Sequence, residues 1–183
     1  LLMSLLVGIV CPATGALLIT QRRVLQANLI THSVLPGLVI ALALQIDPAL
    51  GGVISGVVGA LLAENISRNF SGREEAVMNT VLAGFLALGV LLVPLLSQRI
   101  ALETILFGDL LAANSTDLIR TLLATLAFLL LVVSRYQQLL FIGVDPEGAE
   151  ALHLPVRQLR FLMTVVTSLV VISSMNAVGV VLV

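Results

Sequence analysis

One polar cluster inside an apolar stretch could bind a cation. His32 lies four residues after Asn28 and four before Pro36, so Asn28 and His32 share one face of a helix. Because proline has no N–H, the carbonyl of His32 loses its usual helical donor. An imidazole nitrogen, an amide oxygen and a freed backbone oxygen suit a divalent first-row metal ion, and we expect Pro36 and Gly37 to break or gate the helix.

The same residues allow a simpler interpretation. His32 could only hydrogen-bond a neighbouring helix, since polar side chains in membranes usually face a partner or a cavity. One histidine and one asparagine leave a metal site incomplete. A second copy of the chain, or other residues, would have to supply further ligands.

A second polar segment predicts a short helix outside the membrane. Asp145 suits the N-cap, Pro146 the first helical position and Glu147 the positive end of the helix dipole. Pro155 stops the helix, which we predict over about 146–153. It is either a solvated connection or an element that docks on a cytoplasmic partner. The residues predicted to bind that partner are Asp145, Pro146, Glu147, Glu150, Leu152, Pro155 and Arg157.

Several classes of function find no support. All nine basic residues are arginine, and a Walker A loop needs a lysine to reach the phosphates. Cys11 has no partner for a disulfide or a C-x-x-C metal site. The net charge of −1 gives no overall basic field for nucleic acid. Catalytic motifs and nucleophile–base sets are absent, so we predict neither an enzyme nor a nucleic-acid binder.

The composition predicts an integral membrane protein. Hydrophobic residues make up 59% of the chain and charged residues 10%, against about 45–50% and about 25% in soluble domains. The long, uniformly apolar runs predict membrane helices rather than barrel strands. The spans are 2–20, 28–46, 49–64, 76–96, 117–134 and one starting near 160, with a mixed segment at 97–116 and polar segments at 64–75 and 135–158.

We therefore predict an all-α, polytopic transmembrane helix bundle. Residues 1–183 would form a single transmembrane domain with about six spans. The chain begins Leu-Leu-Met and stops at Val183 within an apolar run, so we expect it to be incomplete at both ends. In the third span small residues recur at about every fourth position, which predicts a tight helix–helix interface.

The arginines predict the orientation in the membrane. If Arg22 and Arg23 are cytoplasmic, alternation of the spans places 65–75 and 135–158 on the cytoplasmic side as well. Seven arginines then lie inside, and only Arg99 and Arg120 lie near the outer face.

Four sequence stretches carry a resemblance to a known family. They are Arg22-Arg23 with Asn28-Leu-Ile-Thr-His32-Ser-Val-Leu-Pro-Gly37, Arg73-Glu-Glu-Ala76 with Gly84-Phe-Leu-Ala-Leu-Gly89-Val-Leu-Leu92, Leu102-Glu-Thr-Ile-Leu-Phe-Gly108-Asp-Leu-Leu111, and Asp145-Pro-Glu147 with Ala151-Leu-His-Leu-Pro-Val-Arg157. In this order they resemble the membrane permease of the bacterial manganese/zinc/iron ABC importers, the ABC-3 family.

The resemblance implies a multi-pass permease of the bacterial inner membrane. It implies a homodimer or a paired permease on two ATPase subunits, which hydrolyse the ATP, and an extracytoplasmic metal-binding protein that supplies the ion. It also implies that the 145–157 segment docks on the ATPase and that an Asp-x-x-x-His pair lines the ion route, with Asn28 here in place of the Asp. The cargo would be a divalent ion and no cofactor would be bound permanently.

The choice of cargo stays open at this point. Asn28 and backbone oxygen favour manganese over zinc, because they are harder ligands than thiolate or imidazole. A permease for a metal chelate, such as a siderophore or cobamide, is an alternative that would need a wide cavity. A non-transporting membrane scaffold is a further alternative.

Overall fold

The computed structural model describes residues 2–67, 70, 73–96 and 115–178. These residues form a bundle of helices. The helices are α1 (Leu2–Thr20), α2 (Val24–Ala43), α3 (Pro48–Ser67), α4 (Glu74–Leu96), α5 (Ser115–Val144), α6 (Pro146–Ala151) and α7 (Val156–Val178). All except the short α6 are long and apolar enough to cross a membrane, which confirms the predicted all-α membrane fold. The mixed segment 97–116, with Arg99, lies almost wholly outside the described residues.

Two helices form the centre of the bundle. In the spanning parts of α2 and α7, 67% of the residues are buried, against 11% in α4. The helix α2 packs against α3 and α4, while α5 packs against α1 and α7. The more exposed helices are still strongly apolar because lipid, rather than protein, is their solvent.

The tight interface predicted for the third span is the contact of α3 with α2. Gly37 and Gly51 face each other so closely that a Cβ on either would collide with the backbone of the other helix. Gly59 likewise leaves room only for the side chain of Ser33. Close backbone approach is what small residues permit in membrane helices.

The prediction of a polar segment over 135–158 is wrong for its first part, up to Val144. The backbone leaves helical geometry at Arg135 (φ −128°, ψ 17°) and then continues as a helix to Val144. Leu139 and Ile142 are buried in the core shared with α1 and α7. Because these two residues stand three apart, they form one apolar face of a helical turn. We call residues 136–144 the inner arm.

The short docking helix is present but ends earlier than predicted. It covers Pro146–Ala151 instead of 146–153, because His153 adopts a left-handed backbone (φ 57°) that stops the helix. The amide of Leu154 then donates to the carbonyl of Ala149 at 3.1 Å. The predicted cap at the other end is confirmed, since Asp145 Oδ1 accepts from the Gly148 amide at 2.9 Å.

Candidate functional site

The two predicted ion ligands lie one turn apart on α2 but differ in exposure. His32 is half-buried near the middle of the helix, and Asn28 is exposed one turn closer to Arg23. Leu29 and Ile30, on the other side of the helix, are fully buried. The core therefore fixes how α2 is oriented and leaves the Asn28 side uncovered by the described helices.

The predicted helix break at Pro36 and Gly37 is wrong. The helix α2 continues through both residues to Ala43. The hydroxyl of Ser55 on α3 donates to the carbonyl of Ser33 at 2.6 Å, one residue after the His32 carbonyl that Pro36 leaves without its helical donor. Pro36 is also packed against Gly89 of α4, where an added Cβ would lie 3.2 Å from the Pro36 ring. A gating role for these residues stays a prediction.

The described residues do not by themselves form a metal centre. Within 2–67, 73–96 and 115–178 no group of three His, Cys, Asp or Glu side chains comes together. His32 and Asn28 are thus an incomplete ligand set, and further donors must come from elsewhere.

One end of the bundle is joined by an ion pair. Arg120 on α5 contacts Asp47 at 2.5 Å and Asp117 at 3.8 Å. Asp47 also caps α3, because its Oδ1 accepts from the Ala49 amide at 3.0 Å. We call this the outer end, and its charges connect the α2–α3 turn to α5.

The opposite end carries a largely buried polar network that the sequence analysis did not predict. Arg23 lies 3.5 Å from Glu64 on α3 and donates to Gln26 Oε1 at 2.9 Å. Gln26 Nε2 donates to the Thr164 hydroxyl of α7 at 2.6 Å, and that hydroxyl donates to the carbonyl of Arg160 at 3.0 Å. We call Arg23, Gln26, Glu64 and Thr164 the inner network.

Burial distinguishes Arg23 from its neighbour Arg22. Arg22 is exposed and has a left-handed backbone (φ 55°), whereas the side chain of Arg23 is 15% exposed. Burial lowers the pKa of Arg23, and the nearby Glu64 carboxylate opposes that shift. The sequence does contain a signal for this network. Gln26 lies beside an apolar run and Thr164 lies inside one, and polar side chains in such positions must find partners.

The residues predicted to bind a cytoplasmic partner lie at this same inner end. The inner arm meets the turn after α1, where Gln21 Nε2 donates to the Leu139 carbonyl at 3.5 Å. Leu152, Pro155 and Arg157 are exposed, as is Asp145. The other three predicted contact residues, Pro146, Glu147 and Glu150, belong to α6. Four of the seven predicted contact residues are therefore exposed, before and after α6 in the chain.

Comparison with known proteins decides the family. The model of the ABC 3 transport family matches residues 1–183. The chain belongs to the ABC 3 transport family. This ABC 3 family chain is a multi-pass protein of the bacterial inner membrane, and its described residues form six helices long and apolar enough to cross a membrane.

Relatives and a solved structure align over nearly all of this ABC 3 family chain. The manganese transport system membrane protein MntC of Halalkalibacterium halodurans is 35% identical over 98% of the chain and 62% of its own length. The chelated iron transport system membrane protein YfeD of Yersinia pestis is 31% identical over 98% of the chain and 61% of its own length. PsaBC from Streptococcus pneumoniae, solved with a Fab, superposes with a TM-score of 0.86 at 31% identity over 99% of the chain and 65% of that one. The chain thus spans about three-fifths of the length of these relatives.

Proposed function

We propose that this chain forms part of the permease of an ABC importer for divalent transition-metal ions. The observation that carries the proposal is His32, an imidazole half-buried at the middle of the spanning helix α2. An ionisable side chain at that depth is costly unless it serves a cavity or a partner. The similarity to a manganese transport membrane protein over 98% of the chain supports the proposal.

We favour manganese as the cargo, with zinc next. The amide oxygen of Asn28 is a hard ligand, which suits manganese, and the relatives named for manganese import support this choice. A structural zinc site closes with four His or Cys ligands, which His32 alone does not approach.

The partners follow from the two ends of the bundle. Separate ATPase subunits would hydrolyse ATP and contact the exposed residues around α6. A metal-binding protein would deliver the ion at the outer end. A second copy of the permease, forming a homodimer, would add ligands on the uncovered Asn28 side of α2, with lipid around the remainder.

Transport of a metal chelate is the second candidate. The 31% identity to a chelated iron transport membrane protein favours it. A chelate needs a wider passage than a bare cation, so competition by a chelated metal during uptake separates the two candidates. A chain that binds no ATPase subunit at all would instead be a non-transporting scaffold.

The complete protein with its ATPase and binding protein in liposomes tests the proposal. ATP is expected to drive uptake of manganese, and His32→Ala is expected to lower uptake about tenfold or more, as loss of a metal-binding group does, without dissociating the complex. Asn79→Ala, an exposed polar residue of α4, is the control and should leave uptake unchanged. Absence of any ATP-driven divalent uptake would overturn the function, and normal uptake by His32→Ala would remove His32 from the route.

A further inference from the structure

The inner network contains an arginine, Arg23, that is not needed to set the orientation of the chain in the membrane. An exposed arginine such as Arg22 suffices to mark a cytoplasmic loop, yet the side chain of Arg23 is only 15% exposed and contacts Glu64 and Gln26. Burying a guanidinium is costly, and breaking such a pair leaves an uncompensated charge. A buried polar cluster with defined partners therefore fixes one relative position of the helices that contribute to it.

A short, tightly packed path connects α6 to this network. The turn after α6 is closed by hydrogen bonds from Leu154 to Ala149 at 3.1 Å and from Val156 to Leu154 at 2.7 Å. Ala149, Val156 and Leu159 are buried in one core cluster. Thr164 follows on the same helix, eight residues after the start of α7, so a displacement of α6 reaches Thr164 through continuous structure.

The other side of the network leads to the candidate ion ligands. Gln26 is buried at 4% exposure and precedes Asn28 by two residues and His32 by six on the same helix. Its amide bridges Arg23 and Thr164, and so joins α2 to α7. The contact of Arg23 with Glu64 joins α3 to the same point.

We infer that the inner network is a positioning device that makes α2 follow the movement of α6 and α7. Gln26 and Thr164 are positioning residues, because they touch no cargo and act through the helix that carries His32. The inference rests on the proposed transport function, in which an ATPase moves α6. Without the network, the ATPase would move α6 and α7 while α2 no longer followed.

The first test measures the coupling without any transport. Nitroxide labels are placed at Val24→Cys and Leu152→Cys, two exposed positions, in a Cys11→Ser background. In lipid nanodiscs they report the distance between α2 and the end of α6. Unlabelled protein is added so that label pairs between two copies are rare. The parent protein is expected to give a single narrow distance. Thr164→Val, which keeps the shape and removes the hydroxyl, is expected to lose it.

Matched variants make this result specific. Thr164→Ser keeps a hydroxyl and should restore the narrow distance, and Gln26→Met, of similar length, should lose it as Thr164→Val does. Thr80→Val is the control, since Thr80 is exposed and its hydroxyl donates to the Ala76 carbonyl of its own helix. A narrow distance retained in both Thr164→Val and Gln26→Met would overturn the inference.

The second test uses the complete transporter in liposomes. Manganese imported per ATP hydrolysed is expected to fall about fivefold in Thr164→Val, the effect of losing one buried hydrogen bond, while ATP hydrolysis continues and Thr164→Ser transports normally. An unchanged ratio would contradict the inference. If the parent complex imports no divalent ion, the proposed function fails, whereas the nanodisc distances still decide whether the network couples α2 to α7.

Discussion

At the scale of single residues, Asp47 shows how one carboxylate serves two helices. One oxygen caps α3 by accepting from the Ala49 amide, and the other contacts Arg120 of α5. Pro48 occupies the first helical position, where its missing N–H costs nothing. The outer turn between α2 and α3 is thereby fixed both locally and to a distant helix.

The two roles of Asp47 predict different costs for two substitutions. Asp47→Asn keeps a capping oxygen and loses the charge, so it should cost less than about 1 kcal/mol, because the pair is partly exposed. Asp47→Ala also loses the cap, which adds about 1 kcal/mol. Thermal unfolding in detergent measures both, with Arg120→Gln as the partner variant for a double-mutant cycle. Equal destabilisation by Asn and Ala would show that the cap contributes nothing.

Local chemistry was predictable at this scale and distant pairing was not. Asp145 followed by Pro146 predicted a capped helix, and the cap is present, because capping depends on neighbours in sequence. The pairing of Gln26 with Thr164 joins residues 138 positions apart. Only the packing of α2 on α7 brings them together, and the spacing of residues in the sequence does not predict which helices pack against each other.

At the scale of helices, the contact of α2 with α3 depends on absent side chains. Gly37 and Gly51 let the backbones touch, and Gly59 faces Ser33. Ser33 is fully buried, so it has little space into which it could move. The glycines in this α2–α3 contact therefore stabilise it by lacking a side chain, which leaves space for the neighbouring backbone and for Ser33.

A pair of glycine substitutions tests whether close packing at the α2–α3 contact requires glycine. Gly59→Ala should destabilise the protein by about 1–3 kcal/mol, because the added methyl group collides with Ser33. Gly84→Ala on α4 is the control, since a Cβ there meets nothing within 4 Å and alanine is the better helix former by about 1 kcal/mol. Thermal unfolding in detergent compares the two, and similar midpoints for both variants would exclude close packing as the reason for glycine at 59.

The spans were predictable because their apolar runs are long, but their ends were not. The helix α2 begins at Val24 rather than 28, with Arg23 at its N-cap position, because the buried partners of Arg23 and Gln26 make an earlier start favourable. The inner arm falls within the polar segment predicted over 135–158, because Arg135 to Gln138 are polar. The burial of Leu139 and Ile142 against other helices, which the sequence does not reveal, outweighs that local polarity.

At the scale of the whole molecule, contacts assign the charged groups to two ends. Arg23 meets Glu64 at the inner end, and Arg120 meets Asp47 at the outer end. The end of the inner arm lies against the end of α1, where a Cβ on Gly143 would be 3.0 Å from the Thr20 carbonyl. This arrangement agrees with the alternation deduced from the arginines.

Labelling in intact cells tests the orientation. In a Cys11→Ser background, Ile46→Cys at the outer turn should react with a membrane-impermeant maleimide, and Leu152→Cys should react only after permeabilisation. Both positions are well exposed in the chain alone, at 53% and 65%, and expression without the ATPase keeps Leu152→Cys uncovered, so the side of the membrane is the only difference. Labelling of Leu152→Cys in intact cells would reverse the assignment of inside and outside.

The bend at Arg135 sets how α5 fits a bilayer. The helix has 30 residues and so measures about 45 Å along its axis, well beyond a hydrocarbon layer of about 30 Å. Residues 115–134 alone account for about 30 Å, so a span that starts at Ser115 would bring Arg135 to headgroup depth. Arg135 would then hold the inner arm at the membrane surface. In that arrangement, the thickness of the bilayer sets how far α6 lies from the membrane and so where a partner can bind it.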